Sequence, residues 1–170
     1  MLKQAILDQS VAILVRKGLG GWNLEEVAQQ ARCAKGLVLY HYRSKAALLG
    51  LTATELERTR WDRRFVALAG GDGLVGIDRL WDEMVAEVDS GRFGAWVSLA
   101  AAGYRGTEPG RSQSFRSAVA RRLGLPTEAL ADAASIEATM EGMTLLLSRA
   151  TSREVLRAAY DRLWASMVAP

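Results

Sequence analysis

The sequence predicts an all-α protein, with a three-helix N-terminal group joined to a C-terminal helical bundle and about nine helices in total. Two observations carry that expectation. Apolar residues recur at i, i+3, i+4 and i+7 along most of the chain, and no stretch of strand length alternates as a half-buried strand does. The periodic runs are separated by glycines, prolines and capping residues, the ordinary punctuation of helices.

Bulk composition agrees. The 170 residues are 49% hydrophobic and include no charge-rich tail, so the chain can bury a core without disulfides or metals. No apolar run approaches the ~18 residues of a membrane-spanning helix. The opening MLKQAILDQSVAILVRKG has polar residues throughout and no signal-peptide cleavage pattern. A cytoplasmic protein with no membrane partner is expected. The single cysteine, Cys33, excludes an internal disulfide and suits a reducing compartment.

The first helix is expected over Leu2–Lys17, with Ile6, Ser10, Ile13, Leu14 and Lys17 on one face and Gly18 as its stop. Leu19, Gly20 and Gly21 link it to Trp22. A second helix of about eight residues follows, N-capped by Asn23. Glu26 stands where its side chain reaches back to the Asn23 amide, and Trp22 and Val27 are placed as a hydrophobic staple. Leu24, Val27, Ala28 and Ala31 form its apolar stripe. After Arg32 and Cys33 a third helix runs from about Ala34 to His41, with Val38 and Tyr42 inward and Lys35, Leu37 and Tyr40 elsewhere. Ser44 caps a longer helix, Lys45 to about Leu68, whose apolar points are Leu48, Leu51, Leu56 and Phe65.

Gly70-Gly71-Asp72-Gly73 breaks that helix. Beyond it, helices are expected over Leu74–Val88, Phe93–Tyr104, Ser112–Leu123, Thr127–Arg149 and Arg153–Val168. They are separated at Ser90-Gly91, at Gly106-Thr107-Glu108-Pro109-Gly110 and at Gly124-Leu125-Pro126, and Thr151-Ser152 caps the last. The chain is read as one module over residues 1–50 and a helical body over 51–170.

Two short helices across a tight turn, the second ending in aromatic and basic residues, are the helix-turn-helix pattern. The block AKGLVLYHYRSKAALL resembles the DNA-reading segment of the TetR family of transcriptional regulators, and ILDQSVAILVRKG is similar to that family's first helix. The two keep one register from Ile6 to Leu49. Charge points the same way. Residues 1–65 hold eleven Lys/Arg against six Asp/Glu and the remainder eleven against thirteen, so the basic half coincides with the motif.

The expected DNA-facing set is Asn23, Arg32, Lys35, Gly36, Leu37, Tyr40, His41 and Lys45. Lys35 opens the second helix of the motif and is placed to read a guanine edge or to grip a phosphate. Gly36 costs that helix up to ~1 kcal/mol relative to alanine, and its use is to let the backbone approach DNA. Leu37 can touch a thymine methyl. Tyr40 and His41 match positions where the resemblance implies phosphate or base contacts. Lys45 in the first turn of a helix opposes the macrodipole, a conflict that a phosphate docked on that N-terminus reverses; the alternative is an ordinary exposed lysine. Arg32, Cys33 and Ala34 depart from the Gly, aliphatic and small hydroxyl residues usual in this turn, and Leu39 replaces a tyrosine that commonly touches the DNA backbone. Arg32 lacks glycine's easy left-handed conformation. Cys33 reads either as a thiol near basic residues or as a small buried hydrophobe.

In the body, the resemblance implies an effector pocket and a dimer interface. Trp61, Trp81, Met84, Phe93, Trp96, Tyr104 and Phe115 are enough to line an apolar cavity, though each is also an ordinary core residue. In the last two helices Ala134, Ala138 and Gly142 repeat every four residues and allow close helix approach. Leu145, Leu156, Leu163 and Trp164 add apolar surface suited to a four-helix bundle between two subunits.

Enzyme chemistry finds no support in the residues. One histidine and one cysteine exclude a zinc site built from several such ligands, and no cofactor is expected. The glycine run at 70–73 lacks the lysine and preceding strand of a phosphate-binding loop. The expected function is a ligand-responsive regulator, a repressor that binds a palindromic operator as a homodimer and is released by a small apolar or aromatic effector. The alternative is a helical ligand- or partner-binding dimer whose DNA-reading head has lost sequence specificity.

Overall fold

The computed structural model of the chain describes residues 1–106, 110–124, 130–149 and 151–168, of which 130–134, 167 and 168 by backbone alone. Helices are the only regular elements among them: α1 Leu2–Gly21, α2 Leu24–Gln30, α3 Lys35–Tyr42, α4 Lys45–Ala69, α5 Leu74–Asp89, α6 Arg92–Ala101, α7 Arg111–Arg122, α8 Leu130–Ser148 and α9 Arg153–Val168. The predicted breaks at Thr107–Pro109 and Leu125-Pro126, and the predicted helix start at Thr127, lie outside the described residues.

The chain forms two compact units. The first takes in Met1–Thr59 and Ser90–Glu108, the second Arg60–Asp89 and Pro109–Pro170. The division therefore does not follow the reading of one module over 1–50 and one over 51–170. The first unit extends through the first half of α4 and recruits α6, and the glycine run at 70–73 is a turn inside the second unit.

The first unit is built on one cluster: Ile6, Ile13 and Leu14 of α1, Trp22, Val27 and Ala28 around α2, Val38 and Tyr42 of α3, Leu48, Leu49, Ala53 and Leu56 of α4, and Ala95 and Leu99 of α6. Polar groups inside it are paired. Ser10 and Thr52 hydroxyls lie 2.7 Å apart, and the Trp22 indole donates to the Ser10 carbonyl at 3.2 Å and hydroxyl at 3.1 Å. Gly18 ends the main run of α1 in a left-handed conformation, φ 67°, as its position predicts, and a further helical turn follows to Gly21. The expected end of α6 at Tyr104 is three residues too late. Gly103 turns left-handed at φ 86°, and the Tyr104 amide closes onto the Leu99 carbonyl at 2.9 Å, a Schellman-type stop.

The second unit buries Trp61, Leu68, Ile77, Leu80, Trp81, Met84, Phe115, Val119, Ile136, Met140, Leu147, Leu156, Tyr160 and Trp164 in one cluster. A charged network lies within the same unit. Arg60 and Arg64, with side chains 4% and 1% exposed, are held by Glu87, at 3%, and by Glu141. No helix among the described residues is long and apolar enough to cross a membrane, and none of their His, Cys, Asp and Glu side chains cluster as a metal site.

Candidate nucleic-acid interface

The site is carried by α2, α3 and the start of α4. Asn23 caps α2 through its side-chain oxygen, which accepts the Glu26 amide at 2.8 Å. Only half of the predicted capping box forms. The Glu26 carboxylate turns instead to α1, where Arg16 at 2.8 Å and Lys17 at 2.7 Å hold it and keep its pKa below the usual carboxylate value, the Lys17 hydrogen bond most strongly. The Asn23 side-chain oxygen is thus taken up by the cap. Trp22 and Val27 are both buried in the cluster, as a staple requires.

The turn between α2 and α3 closes through the Cys33 amide on the Ala28 carbonyl at 2.9 Å. Arg32 adopts φ 53°, so an arginine occupies the left-handed position that glycine fills most easily, and its side chain is exposed. Cys33 is half-buried and packs against the first unit's core, as a small hydrophobe does.

In α3 the inward residues are Val38 and Tyr42, and the Tyr42 hydroxyl donates to the Lys3 carbonyl at 2.5 Å. Lys35, Gly36, Leu37, Leu39 and Tyr40 are exposed, Tyr40 at 72%, and His41 is half-buried edge-on to Tyr40 with ring centroids 5.3 Å apart. A helix of eight residues thus anchors on two side chains and presents most of the rest outward. Lys35 is not free, because its ammonium pairs with the Glu25 carboxylate on α2. This partner is absent from the sequence reading, since it lies ten positions away across the turn.

Arg43 follows α3 with φ 66°, and Ser44 caps α4 by accepting the Ala47 amide at 3.0 Å. Lys45 begins α4, whose first turn holds no acidic residue, and its ammonium lies 5.5 Å from the centre of the buried Trp22 ring. Arg32, Lys35, Arg43 and Lys45 therefore surround the outer face of α3 in sequence, and all are exposed.

The expected effector residues do not share one environment. Trp61, Trp81, Met84 and Phe115 are buried in the second unit's core, where Trp61 and Phe115 rings lie 5.5 Å apart and Trp81 and Tyr160 rings 5.2 Å. They pack as core residues. Phe93, Trp96 and Tyr104 belong to the first unit, where Trp96 and Tyr104 line a cavity of about 350 Å³ together with Glu57, Ala100, Arg105 and Gly106. The expected dimer residues also separate. Ala138 and Leu145 are exposed and Gly142 and Leu163 half-buried, while the Ala134 side chain lies outside the described residues. Leu156, 5% exposed, and Trp164, 1%, are members of the unit's own core and offer no surface to a partner.

A short helix with a basic and partly apolar outer face, set by a tight turn behind a capped helix, defines a helix-turn-helix DNA-binding protein. Residues 6–51 match the bacterial regulatory proteins of the tetR family. The N-terminal segment thus resembles that family's DNA-binding domain, and the all-α fold is shared with solved TetR-family regulators. Solved structures agree on the fold over nearly the whole chain. A TetR-family transcriptional regulator from Haemophilus influenzae is 16% identical, with 96% of this chain and 94% of that one covered and a TM-score of 0.62. The multidrug binding protein EbrR, complexed with imidazole, is 20% identical over 94% and 88%, also at 0.62. A TetR-family regulator from Marinobacter aquaeolei is 15% identical over 96% and 94%, at 0.57. No curated protein sequence matches the chain.

Proposed function

We propose that the chain is a dimeric regulator that binds a palindromic operator through α3 and is released from it by a small apolar or aromatic effector. The observation that carries the DNA-binding reading is the outer face of α3. A Cβ built on Gly36 there would meet nothing within 4 Å, and Leu37 and Tyr40 stand in solvent beside Lys35. Apolar exposure of this kind on a short helix suits a groove with thymine methyls and base edges. Lys45 at the α4 N-terminus supplies the phosphate grip, since an anion there bonds backbone amides and the ammonium together. The N-terminus of α3 brings Lys35 to a base edge or a phosphate, and Arg32 and His41 flank it.

The effector reading rests on Trp96 and Tyr104, two aromatic walls of one cavity in the first unit, and on the fold shared with EbrR, a multidrug binding protein. The dimer reading rests on Ala138, Gly142 and Leu145, four and three residues apart along α8 and therefore on one face. A Cβ at Gly142 would meet nothing within 4 Å in its own chain, which leaves room there for a partner helix. Leu146 at 40% exposure and Val155 at 65% extend the apolar surface.

Selection of the purified protein on a pool of random duplexes at two salt concentrations tests the DNA reading. Enrichment of a palindromic site is expected, abolished in Lys45→Ala and altered in sequence in Lys35→Ala. About six to eight phosphate contacts per dimer give a log–log salt slope near −0.9 per contact. Weak, sequence-blind binding would reject the operator reading. It would favour instead a ligand- or partner-binding dimer whose head no longer reads sequence, for which the exposed Leu39 and the pairing of Lys35 are the supporting observations.

A further inference from the structure

We infer that Glu25, on the helix before the reading helix, is a specificity-determining residue: its carboxylate holds the Lys35 ammonium so that Lys35 favours neutral base edges over backbone phosphates. The inference rests on the operator reading above. Its starting point is the ion pair between Lys35 and Glu25, whose side chains are 50% and 66% exposed. Lys35 holds the Glu25 carboxyl below its usual pKa, with the hydrogen bond the largest cause, and the charge of Lys45 adds to the effect. The carboxylate therefore stays ionised at neutral pH in the field of two of the cations placed to meet DNA.

The physical consequence differs between the two kinds of DNA acceptor. A lysine ammonium has three donors. One can remain on Glu25 while the others reach a guanine O6 or N7, because a base edge carries no formal charge to be repelled by the carboxylate. A phosphate does carry one. To pair with a phosphate, Lys35 must exchange one anion for another while Glu25 is brought near the same phosphate. The exchange releases little net electrostatic energy and adds repulsion between like charges. Contacts made by every sequence alike are phosphate contacts, whereas base-edge contacts belong to the right sequence. Glu25 thus lowers non-specific affinity more than operator affinity, a form of discrimination built from a repulsive element. Glu26 beside it is already committed to Arg16 and Lys17, so the two first-turn carboxylates of α2 have separate partners.

The experiment compares wild type, Glu25→Gln, Lys35→Met and the double variant, all as the full chain. Binding is measured to the duplex selected by wild type and to an unrelated duplex of equal length, across a salt series. In Glu25→Gln, affinity for the unrelated duplex is expected to rise about fivefold to tenfold at about 0.1 M salt, on the scale of a single phosphate contact. Its salt slope is expected to steepen by about 0.9, one additional phosphate contact. Operator affinity is expected to change less than twofold, so the specificity ratio falls. In the Lys35→Met background the same Glu25 substitution is expected to change neither affinity by more than about twofold, which separates action through Lys35 from a change in the stability of α2. Equal changes on both duplexes, or an effect of Glu25→Gln that persists without Lys35, would overturn the inference. Wild type that shows no preference for any duplex would instead overturn the operator reading, and this inference with it.

Discussion

A Cβ at Gly36 meets nothing within 4 Å, and the residue is absent from the positions with positive φ, so nothing inside the chain requires glycine there. Its helix carries the cost all the same, about 0.5–1 kcal/mol against alanine. Gly36→Ala is therefore expected to raise the stability of the protein by that amount in denaturant titration while weakening operator binding, because the added methyl stands between α3 and the groove. Unchanged DNA affinity in a more stable protein would remove the case for close approach at this position. Arg32 shows the reverse relation. The turn needs a left-handed residue, and arginine takes φ 53° at a cost of about 1–2 kcal/mol, keeping a cation beside α3. Both residues were visible in the sequence as departures from good helix or turn chemistry. The partners of Lys35 and Glu26 were not, since each is set by how α1, α2 and α3 pack, and local spacing along one helix says nothing of it.

Helix existence was legible from apolar periodicity, and most ends from caps: Asn23, Ser44 and Ser152 each accept an amide of the first turn, the last at 3.4 Å. What periodicity did not reveal is where α6 goes, because Ala95 and Leu99 make the same inward stripe whichever core they enter. The clue lay in Gly91, which sits just before α6 with φ 78° and whose Cβ would stand 2.9 Å from the Val15 carbonyl oxygen of α1. Gly91→Ala is expected to destabilise the first unit by at least the 1–2 kcal/mol or so of the left-handed backbone, with further loss from the clash, read as a lowered unfolding midpoint. An unchanged midpoint would mean that α6 does not need this approach to α1. The network joining α4, α5 and α8 was also beyond the sequence, because four charged residues on separate helices look like surface until packing buries them. Glu87→Gln removes one of the carboxylates that hold the buried Arg60 and Arg64, and is expected to cost about 3–5 kcal/mol in denaturant titration. Glu141 gives the network a pH signature. Burial raises its carboxyl pKa, but the charges of Arg60 and Arg64 outweigh that and leave it lowered from 4.5. A depressed folded-state pKa contributes stability that is full above the unfolded value and lost as pH falls through the folded one. Unfolding midpoints measured from pH 6 downward are thus expected to fall below about pH 4.5, and to fall less steeply in Glu141→Gln. Parallel profiles would exclude this carboxyl as a source of the acid sensitivity.

For the molecule as a whole, the decisive question is whether one chain suffices to read DNA. A helix-turn-helix head of this size commonly binds half a site, and palindromic recognition requires a second copy whose symmetry matches the two half-sites. The apolar stripe on α9 suggested an interface from sequence, but periodicity cannot say which side of a stripe is already filled. Leu156, Tyr160 and Trp164 are consumed by the chain's own core. Among the residues α8 leaves outward are Ala138 and Leu145, with the half-buried Gly142 between them on the same face. In a symmetric pair each such residue is used twice, so one substitution there acts on both sides of the interface. Leu145, 38% exposed in the single chain, is the place to test this. Leu145→Glu puts two carboxylates into a desolvated contact if the pair forms through α8, and leaves a solvated carboxylate if it does not. The expected result is a shift from dimer to monomer in sedimentation, helical content and core packing unchanged, and loss of palindromic-site binding with weak half-site binding retained. A variant that remains dimeric and binds its operator as wild type does would place the interface elsewhere, and a monomeric wild type with full operator affinity would remove the need for one.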